Sequence, residues 1–188
     1  MTRVRVGLAL PLALMHGACG GSGPAAPDAA TPVDAPPAAL TLTSPTFVDG
    51  GTLPVDYTCD GRGVSPPLAW SGAPAATAEL ALLMTTLAPD GLKWNWVLYR
   101  VPPATAGLAE GTTGVGTAGR TSDGPALAYA PPCSQGPGPK AYTFTLYALS
   151  AAPTVPSPPS AVTGDVLTAA IGPLILAQGA LTVTYTRP

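Results

Sequence analysis

The chain has 188 residues, with 8 Lys or Arg against 10 Asp or Glu and a formal net charge of −2. Charged residues make up only 10%, while Gly and Pro number 22 and 25, a composition that suits a loop-rich β protein and offers no basic stripe for nucleic acid. The one histidine, His16, falls in a leader-like segment, so the remaining chain can build neither Ser-His-Asp nor Cys-His catalysis, nor a histidine-ligated metal site.

Arg3 and Arg5 precede a short apolar run, Val6 to Met15. A charged start followed by an apolar run too short to span a bilayer is the pattern of a secretory signal. His16, Gly17 and Ala18 then lead to Cys19. Small residues before a cysteine resemble the lipobox of bacterial lipoproteins, although His16 stands where that pattern prefers an aliphatic residue. The resemblance implies cleavage after residue 18 and acylation of Cys19; ordinary signal cleavage nearby is the alternative. Residues 19–39 read as the lipidated cysteine followed by a Pro/Ala/Gly-rich tether with almost nothing to bury. In extended form it would reach at most about 60 Å. Loss of the leader leaves six basic side chains against ten acidic ones.

The folded domain is assigned to residues 40–188. Leu40 to Thr43 alternates as a half-buried strand does. Leu53 to Cys59 reads as a second short strand, and Ser65 to Trp70 as an extended segment that ends on a core aromatic. The run ELALLMTT, Glu79 to Thr86, is compatible with helix or strand; its short length and flanking turns favour a buried strand. Trp94 to Val101 is rich in aromatic and β-branched residues and should pair with it across the turn at 87–91. Ala104 to Pro125 reads as a long loop. It contains Gly114, Gly116 and Gly119 at the spacing of a dinucleotide fingerprint, but without the strand and helix that such a motif requires. Ala126 to Leu149 reads as a strand, a stiff loop holding Cys133 and Lys140, and a second strand, Tyr142 to Leu149. Thr163 to Asp165 can cap a helix with Leu167, Ala170, Ile171, Leu174 and Ile175 on one face, interrupted by Pro173. Ala180 to Thr186 alternates as a last strand.

Four segments stand together in this order: YTCDG from Tyr57 with SPPLAW ending at Trp70; Ala81 to Leu83 with Asn95 to Tyr99; Tyr129 to Cys133; and YTFTLYAL, Tyr142 to Leu149. Over about residues 42–186 the chain resembles the phosphatidylethanolamine-binding protein family, in its bacterial Raf-kinase-inhibitor-like branch. The resemblance implies a mostly β fold, an antiparallel sandwich of a large and a small sheet with a C-terminal helix by the pocket. It also implies a pocket at one end for a small anion or a phospholipid head group, and no cofactor.

Residues matching the family's pocket motifs are Thr86, Leu87, Asn95, Pro132, Lys140 and Tyr142. Here the chain departs from the pattern. The family's acidic loop becomes Thr85 to Pro89, without a carboxylate and one residue shorter; its two pocket histidines fall on Asn95 and Lys140. Asn95 keeps hydrogen-bonding capacity without charge, and Lys140 is cationic where histidine would be only partly so. Two outcomes stay open: an altered pocket that still binds, or a degenerate one kept as scaffold. Cys59 and Cys133, an even pair in an exported domain, suggest a disulfide; two buried free thiols are the alternative.

The expected function is therefore that of a non-catalytic binding module tethered at the cell envelope, or a soluble periplasmic or secreted form of it. It would engage a small anion, a head group or an unidentified protein. A protein-binding or inhibitory scaffold is the runner-up. A hydrolase fits poorly without histidines, a nucleophile elbow or clustered carboxylates.

Overall fold

The computed structural model describes residues 39–124, 126–133, 135 and 137–188; the leader, Cys19 and the tether to residue 38 lie outside them. In chain order the regular elements are β1 (Thr41–Thr43), β2 (Leu68–Ser71), β3 (Glu79–Ala88), β4 (Gly91–Val101), β5 (Gly107–Leu108), β6 (Thr117–Ala118), β7 (Lys140–Leu149), α1 (Gly164–Ile171) and β8 (Ile175–Tyr185). They form a three-stranded sheet, β1-β2-β5, and a five-stranded sheet, β6-β4-β3-β7-β8, with every strand pair antiparallel. This is the expected mostly β sandwich of a small and a large sheet with one short α-helix.

The large sheet is covered on both faces, which explains why its strands read as nearly continuous apolar runs. Leu80, Leu82 and Met84 of β3 join Phe144 and Leu146 of β7 and Leu181 and Val183 of β8 in a core shared with Leu42, Leu68 and Trp70 of the small sheet. Ala81 and Leu83 point the other way and pack with Leu149, Val162, Leu167 and Ile171 around α1. Trp70 is core, as expected, and its indole N–H donates to Thr105 O at 2.7 Å.

β4 contains two register steps. Met84 pairs with Trp96 but Thr85 pairs with Trp94, so Asn95 is an extra residue with no partner in β3. Such a bulge reverses the alternation of side chains: Trp96 enters the inter-sheet core, whereas Trp94 turns to the helix side. The second step lies between the Leu80–Val101 and Leu82–Leu98 pairs, where Arg100 sits at φ 56° and donates its N–H to Glu79 Oε1 at 2.7 Å.

Several sequence expectations are corrected. Leu53 to Cys59 is not a strand: Thr52 makes one bridge to Thr184, then Val55–Tyr57 forms a 3-10 turn. Pro54 cannot donate to a ladder, and Thr58 closes the turn by donating to Val55 O at 2.8 Å. The 104–125 loop holds the two-residue strands β5 and β6. Its fingerprint-like glycines serve close packing: a Cβ at Gly116 would meet Tyr99 O at 2.7 Å, and one at Gly119 would collide with Val162 O. Ala126 to Ala130 is irregular, without a strand partner, and its first three residues are exposed. Lys140 opens β7 instead of lying in the loop before it. Pro173 falls in a 3-10 turn, Gly172–Leu174, that ends α1 at Ile171; Ile175 therefore starts β8 and is exposed, and the last strand begins five residues earlier than expected.

α1 is capped by Thr163, whose Oγ1 accepts from Val166 N at 3.3 Å. Its first residue, Gly164, lies flat on the Trp94 ring, and a Cβ there would fall within the indole. Gly164→Ala should therefore lower the unfolding free energy by about 1–3 kcal/mol through overpacking. The check is the urea midpoint at unchanged slope; an unaltered midpoint would remove Gly164–Trp94 contact as the constraint on the helix start.

Candidate functional site

Three strands end side by side. Thr86 of β3 pairs with Lys93 of β4 on one side and Tyr142 of β7 on the other, and its hydroxyl donates to Ala141 O at 2.7 Å. The β3–β4 connection is the two-residue turn Pro89–Asp90, closed by the Ala88–Gly91 pair. Gly91 takes φ 119°, a conformation that favours glycine. Just inside, the bulge places Asn95 at the edge of the same cavity, with only 3% of its surface exposed.

The segment 126–133 closes the other side. Ala130 N donates to Asn95 O at 2.7 Å, and Asn95 Nδ2 donates to Ala130 O at 3.3 Å. Tyr129 OH donates to Tyr57 O at 2.7 Å and its ring meets Trp96 edge-on, with centroids 5.4 Å apart. Cys59 N donates to Pro132 O at 3.1 Å, and Cys59 and Cys133 are joined in a disulfide with Cα atoms 5.3 Å apart. The open cavity between these walls has a volume of about 720 Å³, within the range of small-molecule sites.

Four charged residues line this cavity: Asp90, Lys93, Asp123 and Lys140. Lys93 Nζ lies 2.6 Å from Asp90 Oδ2 and holds that carboxyl below its ordinary pKa. Lys140 and Asp123 have no ion-pair partner among the described residues. Burial, with Tyr142 and Tyr57 beside it, pushes the Tyr129 phenol well above its ordinary range, so it remains a hydrogen-bond donor. Asn95 Oδ1 is buried and accepts no hydrogen bond.

Of the sequence-predicted pocket residues, Thr86, Leu87, Asn95, Lys140 and Tyr142 all line this one cavity. Pro132 does not: it is buried behind the wall as the acceptor for Cys59 N, and the neighbouring Pro131 takes the lining position. Sequence reasoning missed Asp90, Lys93, Thr121, Asp123 and Tyr129 as lining residues. Thr85 to Pro89 carries no carboxylate, as read from the sequence, but the next residue, Asp90 of the hairpin turn, lines the cavity. A Pro-Asp-Gly turn with a lysine two residues beyond the glycine was the available signal for that pair. Nothing local marked Thr121 or Asp123, which arrive from a turn fixed to β4 by Ser122 N donating to Trp94 O at 2.9 Å.

A polar network supports the wall from beneath. Tyr57 OH donates to Glu110 Oε2 at 3.1 Å, and Arg62 bridges Glu110 at 2.7 Å and Asp56 at 3.1 Å. Asp60, next to the disulfide, accepts from Tyr185 OH at 2.8 Å and Arg187 Nε at 3.1 Å. The Tyr185 hydrogen bond, then Arg187, lowers the Asp60 pKa below its ordinary value. A depressed carboxylate pKa gives stability that is present above the unfolded-state value and lost as pH falls through the folded-state value. Wild type should accordingly exceed Asp60→Asn in thermal stability at neutral pH, with the difference closing as pH falls below about 4. A difference independent of pH would show that the ionised carboxylate is not what stabilises this corner.

The sequence matches the family described as Phosphatidylethanolamine-binding protein over residues 43–186. It is 42% identical over 166 residues to a Mycobacterium tuberculosis protein named "Putative lipoprotein LppC", covering 80% of each chain. It is 36% identical over 157 residues to a UPF0098 protein of Methanothermobacter thermautotrophicus, covering 79% of this chain and 99% of the other. Among solved structures it resembles the PEBP homologue CT736 of Chlamydia trachomatis, with TM-score 0.73 and 31% identity over 80% of this chain and 99% of that one. It also resembles E. coli YbcL, with TM-score 0.71 and 23% identity over 79% and 99%, a likeness of fold.

Proposed function

The chain belongs to the phosphatidylethanolamine-binding protein family, and on that premise we propose that it is a non-catalytic binding module, tethered at the cell envelope, whose cavity holds a small anion or a phospholipid head group. The observation that carries this reading is Lys140. It is a cation without an ion-pair partner among the described residues, it lines a cavity of about 720 Å³, and Asn95, Tyr142 and Thr86 line the same cavity. The other lysine is already neutralised by Asp90. An anion entering the cavity therefore meets one available positive charge, with the likewise unpaired carboxylate of Asp123 elsewhere in the lining.

The chemistry of the lining favours binding over turnover. No histidine follows His16, Cys59 and Cys133 are committed to their disulfide, and Tyr129 is held protonated. Among the described lining residues there is no histidine and no free thiol to serve as general base or nucleophile. The envelope placement rests on the leader, on Cys19 at the lipobox-like boundary, and on the relative named as a lipoprotein. Acylation of Cys19 would anchor the domain through residues 20–38, and among the described residues no helix is long and apolar enough to cross a membrane.

Two measurements test these points. Calorimetric titration of the full chain with phosphate and with phosphoethanolamine should give saturable binding that Lys140→Met weakens by tenfold or more, the scale of one charge-assisted contact at about 1.5–3 kcal/mol. Equal binding by the variant would overturn the role of Lys140, and no binding at millimolar ligand would leave the cavity as scaffold. Intact mass of membrane-extracted protein should show an N-terminal Cys19 carrying acyl mass; a mature chain with an unmodified Cys19 rules the anchor out.

A further inference from the structure

The end of the sandwich that holds the cavity also carries the two most exposed leucines among the described residues. Leu87 and Leu92 are 75% and 50% exposed. They pair directly across β3 and β4, one step before the turn, so their side chains stand together on one face of the hairpin. Leu87 also lines the cavity. On the opposite wall Leu127, 39% exposed, sits between Ala126 and Ala128, which line the cavity while Leu127 does not. Both sides of the mouth are thus rimmed by exposed leucine. Residues 86–95 carry one acid and one base, Asp90 and Lys93, already paired with each other, so the hairpin tip has no net charge. Exposed apolar groups gathered at one place mark an interaction surface. Another exposed pair, Ile175 and Leu176, opens β8 at the far end of the sheet, since Leu149 pairs with Ile175 and Lys140 with Tyr185.

We propose that this rim is a membrane-docking surface: Leu87, Leu92 and Leu127 enter the head-group layer of a bilayer and set the cavity mouth against its lipids. The place where the domain begins supports a bilayer as the partner. Leu40 lies beside Gly179, which pairs with Leu146, six residues along β7 from Lys140. At about 3.3 Å per residue the mouth is about 20 Å from that point. The segment from Cys19 to residue 38 reaches up to about 60 Å, so an acyl anchor on Cys19 lets the mouth turn onto the membrane that holds it. A charged partner would find no net charge on the hairpin tip, whereas an apolar rim gains from leaving water whatever the lipid charge. The inference deepens the reading above, with the bilayer as the source of the head group, and rests on it.

The test is co-sedimentation of the mature chain, residue 19 onward, with vesicles of phosphatidylcholine and phosphatidylethanolamine. The chain carries Cys19→Ser so that no acyl group contributes. It should sediment with the vesicles and lose little at raised salt, because salt screens charge attraction and not apolar insertion. Adding Leu92→Ser and Leu127→Ser should weaken partitioning at least about tenfold. Neither residue lines the cavity, so the affinity for phosphoethanolamine in solution should stay unchanged. Ile175→Ser with Leu176→Ser, at the far end, should partition as the Cys19→Ser chain does. If that chain stays in the supernatant while phosphoethanolamine still binds in solution, the docking surface is overturned and the cavity reading stands. Equal partitioning by the rim variant, or partitioning abolished by salt, would also overturn it. Docking by a chain that binds neither phosphate nor phosphoethanolamine would overturn the link between rim and cavity. Failure of both measurements would remove the head-group reading and this inference together.

Discussion

One extra residue in β4 sets the geometry on which the rest of the molecule depends. In a regular strand Trp94 and Trp96 would share a face. The insertion of Asn95 between their partners Thr85 and Met84 sends Trp96 into the core between the sheets and Trp94 toward the helix. The helix can then begin only where its first residue has no side chain, at Gly164, against the indole. The wall of the cavity hangs from the same place, since Ala130 bonds Asn95 through both backbone and side chain. Core packing, helix position and cavity edge are thus three results of one register step.

The cavity's charge arrangement follows a division of labour between elements. The β3–β4 hairpin carries a self-neutralised pair, Asp90 of its turn with Lys93 of β4. The first residue of β7 carries a lysine that pairs with none of the described carboxylates. The irregular segment opposite contributes backbone, small alanines, Tyr129 and the disulfide, and thus shape more than charge.

Much of this was legible in the sequence, for identifiable reasons. β3 and β7 announce themselves through long apolar and β-branched runs, and the helix through its Thr163 cap and the spacing of Leu167 and Ile171. Five residues of the cavity were found through the family resemblance alone. What escaped was set by partners distant in the chain. A bulge is invisible until the register of the neighbouring strand is known. Pro131 and Pro132 are indistinguishable in sequence, and only the bond from Cys59 N decides which of them faces inward. Leu53 to Cys59 has strand-like composition, but Pro54 and the Thr58 hydroxyl impose a local turn. Asp123 and Thr121 enter through a turn carried by Ser122, whose contact with Trp94 lies 28 residues back along the chain.

The disulfide has a topological result of its own. Its ends are 74 residues apart, and the closed ring contains all of β2, β3, β4, β5 and β6. A protease that cuts one of the exposed turns inside that ring, such as Pro89–Asp90, produces two polypeptides that remain one covalent molecule. The severed parts stay held at the cavity wall, with β7 and β8 still hydrogen-bonded beside them. Exposed turns are the preferred sites of nicking, yet a single scission here need not release a fragment or disassemble the sheet.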